Sequence, residues 1–305
     1  MKSISAPKIV SFVVNESGLR LDKCVAERCS DLSRTQAQKL VSDGLVTVND
    51  QVAKAGLKLS VGDRVKITLP SPPIDPLSPE AIPLSIVYED DDLLVVDKPA
   101  GLAVHPAPGH PNHTLINAIL AHVPNLPESD DSKRPGVVHR LDKDASGLMM
   151  VAKNKEAQFN LIGQFKARSV VKAYLVLVKG QLTPDDGVIE APLGRNPRHR
   201  KRMAVVAEGE GREARTNYHV LRHVGDYSLI EVRPETGRTH QIRVHLSAIG
   251  YPVFGDKVYG SKSDKLPRLF LHACLLGFKL PSTGEYKEFT SKLPSDLERV
   301  LEEIG

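Results

Sequence analysis

Pro70-Ser-Pro-Pro-Ile-Asp-Pro-Leu-Ser-Pro79 places five prolines in ten positions. Such a run forbids regular helix and favours a stiff, extended connection. The expected organisation is a small unit over residues 1–69, a linker over 70–81 and a larger unit over 82–305. A chain of 305 residues is long enough for one large and one small domain. There is no internal repeat, and no biased tract apart from this linker.

Ahead of the linker, Leu21, Cys24 and Val25 fall at helical spacing, and Ser33 with Gln36 three residues on announces a second helix through a capping box. Gly44 ends that helix, Leu45 to Val48 reads as a strand, Asn49-Asp50 as a turn and Val65 to Leu69 as another strand. The expected order is helix, helix, small sheet. Behind the linker, strand-like runs at Leu93 to Val96, Leu148 to Val151, Tyr174 to Val178 and Leu229 to Val232 alternate with helices beginning at Thr114, Asn154 and Thr239. Connections between strands are often too short for crossover helices. That favours an α+β fold with a mixed, largely antiparallel sheet and helices set around it.

The 41% hydrophobic and 26% charged content is that of an ordinary globular protein. No apolar run is long enough to span a bilayer, and Pro7 and Lys8 interrupt the start before a signal-type core develops, so a cytoplasmic location without membrane contact is expected. Cys24, Cys29 and Cys274 are too few and scattered for a disulfide framework or a structural zinc site. The net charge of +4 is unevenly spread: residues 1–70 hold 11 basic against 7 acidic side chains, and residues 71–98 hold 1 against 7. Two basic segments flanking an acidic linker are compatible with nucleic acid without requiring it.

Four segments carry candidate chemistry. Gly136-Val-Val-His-Arg-Leu-Asp-Lys-Asp-Ala-Ser-Gly147 is a polar loop bounded by glycines and followed by an apolar strand; Asp142 and Asp144 lie in it among His139, Arg140 and Lys143. Loops held by a rigid sheet are frequent places for catalytic groups, although a salt-bridged surface loop has the same composition. In Glu231 to His245, a helix starting near Thr239 would bury Ile242, Leu246 and Ile249, be closed by Gly250, and leave Arg238 just ahead of its N-terminus, a place suited to an anion or to a structural ion pair. In Lys172-Ala-Tyr-Leu-Val-Leu-Val178, alternation puts Lys172, Tyr174, Val176 and Val178 on one face, with Tyr174 either a core residue or a ring offered to a base. Finally, Arg195, Arg198, Arg200, Lys201 and Arg202 give five cations in eight residues with no acid, able to neutralise several phosphates or simply to face solvent.

Neither a phosphate-cradling loop of the Walker type nor a dinucleotide fingerprint is present, so no nucleotide cofactor is expected. His105, His110 and His113 fit no usual zinc spacing, and no metal is expected there.

Together these segments resemble the RluA-type pseudouridine synthase family: HRLDKDASGL at 139–148, KAYLVLV at 172–178 and ETGRTHQIRVH at 235–245, joined by Asp97-Lys-Pro-Ala-Gly101 and Leu269-Phe-Leu-His-Ala273. The first unit resembles a small alpha-L (S4-like) RNA-binding domain through SRTQAQKLVSDGLVTVN. The resemblance implies isomerisation of uridine to pseudouridine in RNA, most similar in domain order to multi-site members acting on large-subunit ribosomal RNA. It maps Asp142 onto the catalytic Asp, Tyr174 onto the active-site Tyr, Arg238 onto the Arg that pairs with that Asp, and Leu271 onto an apolar pocket residue. Ala145 departs from the usual Thr, with a small effect on loop packing expected. His139, Arg140, Arg34, Lys39 and the 195–202 cations are then expected to contact RNA.

The chemistry is consistent with that mapping. Isomerisation breaks an N-glycosidic bond and re-attaches the base through carbon, with no redox or phosphoryl step, so no cofactor is expected. An ionised carboxylate can attack the anomeric carbon or abstract a sugar proton, and a neighbouring guanidinium would keep it charged. A glycosidase using Asp142 and Asp144 is disfavoured by the absence of Trp. A non-catalytic RNA-binding or ribosome-assembly protein is the remaining alternative, and a monomer is the default oligomeric state.

Overall fold

The computed structural model describes residues 8–29, 32–69, 77–107, 110–127, 134–200, 202–260 and 263–305. The chain divides into two compact units, Met1–Pro76 and Leu77–Gly305. Residues 70–76 of the proline run, and Lys201 of the basic segment, lie outside the described residues.

In the first unit, β1 (Lys8–Val13) precedes α1 (Leu21–Arg28), α2 (Arg34–Ser42), β2 (Val46–Val48), β3 (Gln51–Val52) and β4 (Arg64–Leu69). The capping box forms as its spacing predicts: the Ser33 hydroxyl accepts the Gln36 N–H, and the Gln36 side chain accepts the Ser33 N–H at 2.7 Å. The sheet runs β1-β4-β2-β3, all antiparallel, and Leu21, Val25, Ala37, Val41, Val46 and Ile67 close the core beneath it. The leading strand is not in the expected helix, helix, sheet order. Its apolar residues fall on both faces, with Val10 and Phe12 packed on the core and Ile9 and Val13 exposed, so no alternation announces it.

The second unit contains β5 (Ile86–Glu89), β6 (Leu93–Lys98), α3 (Leu115–His122), β7 (Ser146–Ala152), α4 (Lys155–Lys166), β8 (Val171–Lys179), β9 (Asp186–Glu190), β10 (Leu193–Arg195), β11 (Met203–Val205), β12 (Arg215–Val224), β13 (Tyr227–Pro234), α5 (Gln241–Ala248), β14 (Leu271–Lys279), β15 (Tyr286–Thr290) and α6 (Ser295–Ile304). One nine-stranded sheet runs β5-β6-β7-β14-β8-β13-β12-β9, with β15 added on β14. Among the described residues only β7 and β14 pair in parallel, through His272 with Ser146 and Ala273 with Gly147. The fold is α+β with a mixed, mostly antiparallel sheet. α6 had no counterpart in the sequence reading; its Leu297, Val300 and Leu301 pack on Leu177 and Phe270.

The extended stretch after Leu77 belongs to this unit. Asn117 on α3 donates from its side chain to the Ser78 carbonyl at 2.7 Å, and its own carbonyl accepts the Glu80 N–H at 2.9 Å.

The polar loop before β7 is set by its bounding glycines. Gly147 has φ +111°, and a Cβ there would collide with the Ala273 carbonyl; Gly136 has φ +69°, where a Cβ would collide with the Ala152 carbonyl. Only glycine allows both the left-handed backbone and the close approach. The loop is thus pinned at both ends against the middle of the sheet.

Candidate active site

That loop and the N-terminal end of α5 face each other across a cleft of about 650 Å³. Asp142 lies in it with a side chain only 15% exposed. Its Oδ2 accepts from Nη1 of Arg243 at 2.9 Å. Arg243 in turn gives Nε to Oδ2 of Asp256 at 2.7 Å and Nη2 to Oδ1 at 2.9 Å, a bidentate grip by a fully buried carboxylate. Burial alone would lower the Arg243 pKa, but hydrogen bonds and charge from Asp256 and Asp142 hold it above its ordinary value. Burial would raise Asp256, yet its bonds to Arg243 and to the Val258 and Tyr259 N–H groups hold it below the usual carboxylate range.

The guanidinium on Asp142 is therefore Arg243, which corrects the assignment of that role to Arg238. Arg238 lines the cleft from the turn ahead of α5, its Nε donating to the Glu213 carbonyl at 3.0 Å, with no carboxylate paired to it among the described residues. The helix begins later than expected, at Gln241, with His240 as N-cap in the left-handed region at φ 56°. It is buried on nearly every side, Gln241, Arg243 and His245 included, whereas Ile249, expected inside, is 38% exposed. An amphipathic reading assigns polar residues such as Arg243 to solvent, and that assumption fails for a helix enclosed all round.

A short relay backs the pair. The Tyr259 phenol accepts the Met203 N–H at 2.9 Å and sits 2.9 Å from Nδ1 of His240. Nε2 of the same ring lies 3.9 Å from Oδ1 of Asp142. Burial lowers the His240 pKa more than Asp142 raises it, so the ring is neutral at neutral pH. The Tyr259 ring lies under the Arg243 guanidinium at 5.0 Å. None of Arg243, Asp256, His240 or Tyr259 was singled out from the sequence.

Lys98 holds the loop from the other side. Its Nζ donates to the carbonyls of Pro99, Leu102 and Lys143 at 2.8, 2.9 and 3.1 Å. Burial pushes its pKa down to about 7, against the pull of Asp144 and Asp142. Three acceptors match the three N–H groups of the ammonium, so the site is built for the charged form.

Tyr174 and Leu271 line the cleft, above a core that includes the fully buried Ala145. Burial, then the charge of Asp142, pushes the Tyr174 phenol well above its ordinary pKa, so it is un-ionised at neutral pH. Arg140 is exposed at the rim. His139 forms part of the wall: its Nε2 accepts the Met150 N–H at 2.9 Å, its ring stacks on Phe165 at 5.0 Å, and burial lowers its pKa to about 3. Asp144 does not share the cleft; it lines a separate depression with Asp97, Arg268 and Asp296, which removes the paired-carboxylate geometry a glycosidase needs. Arg195, Arg198, Arg200 and Arg202 are exposed around the β10–β11 hairpin. In the first unit Lys39 is exposed, and Arg34 donates from Nε to the buried Asp22 at 3.1 Å.

His105 lines the cleft, His110 meets Lys143 and His113 meets Glu80. Among the described residues no three His, Cys, Asp or Glu side chains converge as a metal site would require, and no helix is long and apolar enough to cross a membrane.

Residues 92–248, which hold the loop, β8 and α5, match the model of the RNA pseudouridylate synthase family. The chain belongs to that family. Residues 19–65 match the S4 domain. An uncharacterized RNA pseudouridine synthase of Bacillus subtilis (strain 168), YlyB, is 46% identical, covering 93% of this chain and 94% of its own. The ribosomal large subunit pseudouridine synthase D of Nitrosomonas europaea is 44% identical, covering 95% of this chain and 86% of its own. Among solved structures, human RNA pseudouridylate synthase domain containing 1 aligns with a TM-score of 0.58 at 33% identity, over 70% of this chain and 85% of that one. The chain is an RNA pseudouridine synthase, an isomerase, and the non-catalytic alternative falls.

Proposed function

We propose that this enzyme converts uridines of large-subunit ribosomal RNA to pseudouridine, with Asp142 as the group that acts on the ribose. The observation that carries it is the Asp142–Arg243 contact of 2.9 Å inside a cleft of about 650 Å³. Arg243 holds Oδ2, and Asp142 itself lines the cleft in which a sugar would lie. A uridine reaches such a site only by leaving its stack, and the cleft has the size for one nucleoside with an aromatic, Tyr174, at its wall.

The reaction breaks the bond from C1′ to N1 and forms one from C1′ to C5, while the proton on C5 is lost and N1 gains one. Atoms balance without oxidant, phosphate or metal, which supports action without a cofactor. Asp142 enters as a nucleophile at C1′ or as a base toward the sugar, and Arg243 holds its orientation in either case. Since Tyr174 holds its proton, its part is to stack and to hydrogen-bond. Arg238, Arg140 and the exposed arginines of the 195–202 segment supply cations for the RNA backbone, and the S4 unit a second RNA contact. The ribosomal substrate is supported by relatives named for the large subunit, from Nitrosomonas europaea, Zymomonas mobilis and Neisseria meningitidis. A monomer is the default, and a ribosomal substrate implies the cytoplasm.

The test is site-resolved pseudouridine mapping of ribosomal RNA from cells carrying the wild-type protein, none, or Asp142→Asn. Particular large-subunit positions should be lost in the last two; an identical pattern in all three rules the function out.

A further inference from the structure

Part of the cleft wall is built from the end of α4 and the start of β8: Ile162, Phe165, Lys166, Arg168 and Lys172 all line it. The same helix carries a feature the catalytic chemistry does not use. Phe159 is 82% exposed, the most exposed large apolar side chain among the described residues. One helical turn lies between it and the cleft, since Ile162 and Lys166 follow at three and seven residues on the same face. The opposite face of α4 is conventional, with Ala157 and Leu161 buried against the sheet.

Gly163 stands one turn from Phe159, inside the helix and exposed. It has no positive φ, and a Cβ added there would meet nothing within 4 Å. Neither backbone conformation nor packing calls for glycine, and in a helix interior glycine is costly relative to alanine. The missing side chain leaves flat ground beside an exposed ring. The surroundings are cationic: Lys155, Lys166, Arg168 and Lys172 face a single acid, Glu156, over residues 155–172. Lys172 sits over the Phe165 ring at 5.6 Å, and no carboxylate pairs with it among the described residues. An exposed aromatic, open backbone and unpaired cations running into a cleft are what a single strand requires, a π-face for a base and positive charge for its phosphates.

We infer that the outer face of α4 is a docking track for the unpaired RNA segment adjoining the target uridine, with one base stacked on Phe159 over Gly163 and the backbone led into the cleft past Lys166, Arg168 and Lys172. The inference rests on the cleft taking an RNA nucleotide. Its partner is single-stranded RNA; a second copy of this chain seated on the same face is the competing occupant.

The experiment measures tritium release from uridine-labelled large-subunit RNA by the full chain. Phe159→Ala should raise KM about fivefold or more with kcat within twofold, the loss of one base–aromatic stack, and Phe159→Trp should restore KM. Gly163→Leu should raise KM comparably without lowering Tm, which a purely structural glycine would not do. Unchanged KM in both Phe159→Ala and Gly163→Leu, with the wild type active, overturns the track. So does a wild-type dimer that Phe159→Ala dissociates. A wild type inactive on every ribosomal RNA instead overturns the function proposed above, and the track with it.

Discussion

Arg243 stands between two acids: Nη1 lies 2.9 Å from Asp142, while Nε and Nη2 are spent on Asp256. A single planar fork therefore fixes the carboxylate in the cleft to one that is sealed in the core. A lysine ammonium has the charge without the reach in two directions.

From this, Arg243→Lys is expected to lower kcat about 100-fold, because Asp142 loses its fixed orientation. Arg243→Met should in addition destabilise the fold by about 3–5 kcal/mol, through two carboxylates left uncompensated. Steady-state kinetics and thermal unfolding check both; near-normal kcat in Arg243→Lys contradicts the positioning role.

Asp142→Asn removes the ionised oxygen while keeping shape. Pseudouridine formation should fall by at least about 10²–10⁴-fold, with RNA affinity within a few-fold of wild type. Tritium release and filter binding on the same RNA separate the two effects.

Tyr174→Ala is expected to raise KM about tenfold by losing the ring, whereas Tyr174→Phe should leave KM within twofold. Equal KM values in the two variants would exclude stacking on this ring.

Asp256 gives a pH dependence. Its folded pKa lies below the ordinary carboxylate value near 4. Its contribution to stability is thus complete above that value and is lost as pH falls toward the lower folded pKa. Between pH 6 and pH 3 the wild type should lose more Tm than Asp256→Asn does; parallel losses would show that the carboxylate is not stabilised by folding.

Replacing Arg198, Arg200 and Arg202 by Ala should weaken RNA binding and flatten its dependence on salt, by about 0.7–0.9 in log–log slope for each phosphate contact removed. An unaltered slope would mean that the hairpin tip faces solvent in the complex.

Much of this protein was legible in one dimension, because local rules suffice for it. The Ser33–Gln36 capping box and the alternation that sends Tyr174, Val176 and Val178 to one face are decided by neighbours in the chain. The carboxylate loop was visible for the same reason. β1 escaped because apolar residues on both faces erase the alternation, and α6 because its meaning lies in what it packs against, Leu177 and Phe270.

What only the tertiary structure decided is which cation meets Asp142. Arg238 and Arg243 are five residues apart and chemically identical, and nothing local ranks them. The choice depends on the burial of α5 on all sides and on Asp256, thirteen residues further on, folding back to grip one of the two. Coulomb energy depends on distance and surroundings, and both are properties of the packed molecule; sequence supplies the charges, and folding alone assigns their partners.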